Sequence, residues 1–193
     1  MPFPAKTNTG AILASATDII KTGGMSALSM RTLAARLGVR ASSLYRHFPD
    51  RSSIERALAV HAGDQLLERM RFSLQGLKEE RALVAASRVY VEFAISEAAF
   101  YDLLMQSAGL RPQSSDSAKQ IWEFFRQLVG ETTNMGGEEA GAAALWSFLH
   151  GFTVLLRAGQ ITEASSRSAF TRGINAMIRG LSIPEADSAS SAS

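Results

Sequence analysis

The chain has no cysteine among its 193 residues. Disulfides, zinc–thiolate sites and thiol catalysis are therefore excluded. It opens on "MPFPAKTNTG", which has no charged segment leading into an apolar run, so no secretory signal is expected. No apolar run reads as long enough to span a bilayer, and the expected location is the cytoplasm with no membrane partner. Histidine is scarce: His47, His61 and His150 lie far apart and show no metal-ligand spacing. No Gly-rich phosphate loop follows a strand, because no stretch reads convincingly as a strand. Ser, His and Asp are all present, but nothing in their spacing assembles a triad. The expectation is a protein that is not an enzyme and carries neither metal nor cofactor.

What is present is helical. Apolar residues make up 46% of the chain, enough for a substantial core. Residues 9–22 place Ile12, Ala16, Ile19 and Ile20 on one face, ending at Gly23-Gly24. Residues 29–37 start at a capping Ser and stop at Gly38, with Leu33, Ala34 and Leu37 as their apolar stripe. A third helix is expected over 42–48, with Leu44 and Phe48 inward. Asp50 caps a long helix, 51–75, carrying Ile54, Leu58, His61, Leu66 and Met70. Further helices are expected at 79–97, 98–108, 116–134, 138–158 and 165–181, with a Gly/Pro/Ser loop before 116 and a break at Met135-Gly136-Gly137. Pro184 ends structure and the tail to 193 is expected to be disordered. The fold class is all-α, about nine helices, with loop lengths suited to antiparallel packing.

Charge is uneven along this frame. Residues 1–60 carry eight Lys/Arg against three Asp/Glu, a net +5, while the remainder is net −3. A basic head on a mildly acidic body suits a polyanion at one end. Within that head, a helix ending at Gly38 and a short helix beginning three or four residues later form a helix-turn-helix arrangement. Leu44 and Phe48 inward leave Ser42 and Arg46 opposite the core, with Ser43, Tyr45 and His47 on the flanks. Arg46 has the reach and the two donors to read a guanine. Tyr45, His47 and Arg51 suit phosphate oxygens, which position a protein without reading sequence. Ser29, Arg31, Arg40 and Ala41 complete the candidate DNA-facing set. Each flank residue also suits a bland role: Tyr45 can cover core, and His47 can be a solvated helix end.

The stretch "SMRTLAARLGVRASSLYRHFPDRSSI", residues 29–54, resembles the DNA-binding segment of TetR-family transcriptional regulators. It supplies Leu33-Ala34, Gly38-Val39, Leu44-Tyr45, Phe48 and a basic residue before the fourth helix. That residue is Arg51, where the family more often has Lys, and Arg40-Ala41 stand where small polar or Lys residues are common. Further along, "YVEFAISEAAFYDLLM" (90–105) and "LWSFLHGF" (145–152) resemble the C-terminal domain of members with a Trp…His-Gly signature; Ala98-Ala99 depart from the Pro often found there. The resemblance implies a DNA-binding domain over 1–50, an effector-binding and dimerisation domain over 51–183, and a tail over 184–193. It implies a repressor released from double-stranded operator DNA by a small-molecule effector, working as a homodimer through its last two helices.

The body's residues agree with that division. "EAGAAALW", 139–146, is rich in small side chains that allow close helix approach. Phe170, Ile174, Met177, Ile178 and Leu181 form an apolar stripe on the last helix, facing either a partner or the chain's own core. Phe93, Phe100, Tyr101, Met105, Trp122, Phe125, Trp146 and Phe152 are the large groups available to line a cavity for a mostly apolar effector, and each also suits plain core. His150 and Tyr101 are the candidate polar anchors. The alternative is an architectural or adaptor DNA-binding protein whose body holds a protein partner.

Overall fold

The computed structural model describes residues 8–108, 116–133 and 138–181, and among them it contains nine α-helices and no strand. The head comprises α1 (Thr9–Gly23), α2 (Met30–Leu37) and α3 (Ala41–Leu44), with a single tight turn at Met25–Ala27 between the first two. Asn8 caps α1 by accepting the Ala11 N–H at 2.7 Å. Ser29 and Thr32 form a reciprocal capping box on α2, a device whose loss costs about 1 kcal/mol. At the other end of α2, Gly38 sits at φ 65°, where a side chain would be strained. Its N–H reaches the Ala35 carbonyl and that of Val39 reaches Ala34, which closes the helix and turns the chain towards α3.

The third helix is shorter than the expected 42–48. It spans four residues and tightens into a turn, with the N–H groups of His47 and Phe48 both donating to the Leu44 carbonyl at 2.9 Å. Pro49 keeps the helix from resuming, since the residue before a proline, Phe48, is disfavoured in helical geometry. Leu44 and Phe48 are inward as expected, at 0% and 6% exposure.

Helix α4 (Arg51–Ser73) begins in a second capping box, between Asp50 and Ser53, and ends two residues before the expected 75. It packs on α1 in the head and on α5 (Glu79–Ser96), α6 (Ala98–Ala108) and α7 (Asp116–Thr133) in the body. Its buried line runs in steps of four through Ile54, Leu58, Ala62, Leu66 and Met70. His61 falls one position off that line. It is exposed and bonded to Gln65, not inward as the sequence suggests. At Gly63 the backbones of α4 and α7 come so close that a Cβ would lie 2.5 Å from the Ser117 Cβ.

Helices α8 (Glu138–Arg157) and α9 (Glu163–Leu181) complete the bundle. By length and composition alone α8 could cross a membrane, contrary to the sequence expectation. It packs instead against α5, α7 and α9. The loop and break expected around 109–115 and 135–137, and the tail from Pro184, fall outside the described residues.

The stripe on α9 has a different use from a partner-facing seam. Phe170, Ile174 and Ile178 are buried within the same subunit, and Phe170 meets Phe148 and Phe152 of α8 at ring distances of 6.4 and 5.6 Å. These three complete the subunit's own core, while Met177 and Leu181 are half-buried. Ile174→Asp is therefore expected to destabilise the subunit itself, by at least about 3 kcal/mol. Thermal unfolding followed by circular dichroism checks this; a variant that melts like wild type but sediments as a monomer would return Ile174 to the subunit interface.

Candidate nucleic-acid interface and effector cluster

Around α3 the structure brings most of the sequence-predicted DNA-facing residues onto one surface. Arg40, Ser42, Tyr45, Arg46 and His47 are all exposed, with Ala41 and Ser43 half-buried behind them. Tyr45 is 52% exposed despite its size. An aromatic ring left in water beside three cationic or ionisable side chains does not serve the core. Arg31 is exposed at the start of α2. None of Arg31, Arg40 and Arg46 joins an ion pair among the described residues, so their donors face solvent.

Two members of the set have other work. Ser29 accepts the Thr32 N–H at 3.0 Å as the cap of α2. Arg51 donates its Nε to Glu55 at 2.6 Å and a terminal N–H to the Met25 carbonyl at 3.0 Å. Arg51 thus ties the start of α4 to the turn between α1 and α2, leaving only part of its guanidinium fork for phosphate.

The body residues divide into two groups. Tyr101, Trp122, Phe125, Trp146 and His150 gather with Tyr90, a residue the sequence does not single out. Trp146 lies 5.4 Å from Tyr90, 6.2 Å from Phe125 and 6.3 Å from Trp122, all edge-on. Through the cluster runs a hydrogen-bonded chain: Tyr90 Oη to Tyr101 Oη at 2.9 Å, and Tyr101 Oη to His150 Nδ1 at 2.8 Å. Tyr90 is fully buried, and among the described residues its hydroxyl bonds only to Tyr101. Both phenol donors are satisfied when Tyr90 donates to Tyr101, Tyr101 donates to Nδ1, and the imidazole proton sits on Nε2. Beside the chain, Arg157 makes a bidentate pair with Asp102 at 2.6 and 2.8 Å and lies over the Tyr101 ring. Ser87 on α5 and Thr153 on α8, one turn from Tyr90 and His150 respectively, are buried hydroxyls without a hydrogen-bond partner among the described residues.

Phe93 and Phe100 belong elsewhere. Arg69 of α4 lies over Phe93 at 5.3 Å, and Lys21 of α1 over Phe100 at 5.9 Å. Both cations also pair with Glu97, at 3.6 and 3.3 Å, in the corner between α5 and α6. These two aromatics form a junction between head and body. Met105 is half-buried against the core. Tyr90 and Glu97 escape a sequence reading for the same reason: one looks like another core aromatic, the other like a surface charge.

Burial pushes the Tyr90 phenol well above its ordinary value of 10.0, with the neighbouring Tyr101 adding to the rise; burial also raises Tyr101. Native phenols thus keep protons that unfolded ones lose. Their contribution to stability is complete below about pH 10 and declines as pH climbs further. Tyr90→Phe is expected to flatten that alkaline decline in melts recorded between about pH 9 and 11. An unchanged slope would mean the buried phenols do not govern it.

Comparison with known proteins agrees with this architecture. Residues 12–58 match the model for bacterial regulatory proteins of the tetR family, and residues 83–177 the model for the tetracyclin repressor-like C-terminal domain. The HTH-type transcriptional regulator YobS of Bacillus subtilis is 28% identical over 75% of this chain and 76% of its own. Rv0681 of Mycobacterium tuberculosis, also described as an HTH-type transcriptional regulator, is 24% identical over 92% and 83%. Among solved structures, BioQ of Mycobacterium smegmatis superposes with a TM-score of 0.67 at 23% identity, over 91% of this chain and 98% of its own. A TetR variant of Acinetobacter baumannii in complex with minocycline superposes at 0.65 and 22% identity, over 90% and 96%. With its reading head and its helical body each matched to models of one family, the chain belongs to the TetR family of transcriptional regulators.

Proposed function

We propose that the protein represses transcription from a double-stranded operator and leaves it when a small, mostly apolar effector binds the body. The observation that carries the DNA-reading part is the two-sidedness of α3. Leu44 and Phe48 are buried, and Ser42, Tyr45, Arg46 and His47 face out, their side chains unpaired among the described residues. Arg46 reads a base, the flanking donors hold phosphates, and residues 1–50 act as the reading domain. The protein works in the cytoplasm, where its operator lies.

The effector reading rests on the aromatic cluster in the 51–183 domain. Trp122 and Trp146 offer apolar faces, His150 a polar end, and Ser87 and Thr153 unused hydroxyls. The likeness in fold to an A. baumannii TetR variant with minocycline supports a body that accepts small molecules. Displacement of Tyr101 reaches the head by a short route. The Tyr101 N–H bonds the Glu97 carbonyl at 2.9 Å, and the Glu97 carboxylate holds Lys21 of α1 and Arg69 of α4. A coupling of about 1–3 kcal/mol changes operator affinity roughly 5- to 150-fold.

Assembly as a homodimer places two heads about one helical turn of DNA apart, on the order of 34–36 Å. With the α9 stripe turned inward, the faces left for a partner are Ala140, Ala144, Ser147 and Val154 on α8, and Arg172, Asn175, Ala176 and Arg179 on α9. The α8 residues advance in alternating steps of four and three, the spacing of a helix–helix seam, once half-buried Gly151 is included.

Arg46→Ala is expected to weaken operator binding by about 1–3 kcal/mol and relax preference at one base pair. Arg51→Ala should weaken all sequences alike. Anisotropy titrations across single-base operator variants check both, and an Arg46→Ala protein with undiminished sequence preference would end the base-reading assignment. Val154→Asp is expected to give a folded monomer with wild-type helicity, because Val154 is 49% exposed in the subunit. Sedimentation decides: a dimer of unchanged strength would take the seam off α8.

A further inference from the structure

Helix α9 packs on α8 and stands off from α5. Between α5 and α9, at the end of α4, an open groove of about 550 Å3 remains. That is within the roughly 300–1,000 Å3 span of small-molecule sites. It is separate from the aromatic cluster, with which it shares no lining residue. Among the described residues the groove is open, with an apolar floor exposed along it.

The floor is aliphatic: Val84, Ala85 and Val89 on α5 and Ile178 on α9. The rim on α5 is cationic. Arg81 and Arg88 are seven residues apart, two turns on the same face, about 10 Å along the helix axis. Both are exposed, and neither forms an ion pair among the described residues. One carboxylate, Glu80, shares the wall with them, so the rim carries a net positive charge. Guanidinium forks match planar anions with two parallel hydrogen bonds.

We propose that this groove binds an anionic amphiphile, with an aliphatic chain laid over Val84, Ala85 and Val89 and its anionic headgroup held by Arg81 and Arg88. The site is distinct from the effector cluster, and its test does not involve DNA. The groove lies where α4 ends, so its occupant braces the far end of the helix that carries Arg51 into the head.

Calorimetric titration of the full chain with decanoate, below its micelle-forming concentration, tests the site. Decanoate is expected to bind, and decan-1-ol to bind at least about tenfold more weakly, the scale of one lost charge-assisted contact. Arg88→Gln, and more strongly Arg81→Gln with Arg88→Gln, should remove that preference while leaving helicity unchanged. Val84→Phe, which fills the floor, should abolish decanoate binding without altering sedimentation. Equal binding of acid and alcohol, wild-type affinity in the double arginine variant, or decanoate binding that survives Val84→Phe would each overturn the proposal. So would a Val84→Phe variant whose change is in oligomeric state, which would make a second copy of the chain the occupant.

Discussion

The burial of two side chains, Leu44 and Phe48, is the constraint on which the reading surface depends. A helix of four residues has no stability of its own, because nucleation is unfavourable and no propagation follows to offset it. Helix α3 exists because these two groups are held in the core beside Leu33 and Ala34, while Gly38 turns the chain into it. Once they are fixed, the direction of Ser42, Tyr45 and Arg46 is fixed as well. Truncating either anchor costs on the order of 2–5 kcal/mol and removes the geometry along with the stability.

Head and body share α4 and so have no sharp mechanical boundary at residue 50. Arg51 ties the first turn of α4 to the Met25 carbonyl, and Arg69, near its far end, meets Glu97. An exposed ion pair by itself contributes about 0–1 kcal/mol. Glu97 is 18% exposed and faces two cations, each also lying over an aromatic ring. The junction therefore ties α1, α4 and the α5–α6 corner through one carboxylate.

The all-helical fold, the caps at Ser29 and Asp50, the left-handed Gly38 and the inward Leu44 were legible because each rests on local rules of period, capping and turn chemistry. His61 differs because the buried face of α4 pairs Leu58 with Ala59, Ala62 with Gly63 and Leu66 with Leu67, which leaves position 61 just outside it. The α9 stripe was readable as apolar but not as inward, since a stripe carries no label for the surface that covers it; Phe148 and Phe152 decide that in three dimensions. Tyr90 and Glu97 were illegible for the same reason. Their meaning comes from partners eleven and 76 residues away, Tyr101 and Lys21.

The chain of hydroxyls ending at His150 has a direction, and direction is selective. With its proton on Nε2, the imidazole turns a donor away from Tyr101. A molecule offering an acceptor there leaves the chain as it stands. One that donates to Nε2 forces the proton onto Nδ1, which reverses both bonds behind it and leaves the Tyr90 proton facing apolar surroundings with no acceptor. A stranded buried donor costs about 1–3 kcal/mol, so a guest of the proposed effector cluster that donated to Nε2 would be penalised two hydrogen bonds away, at Tyr90.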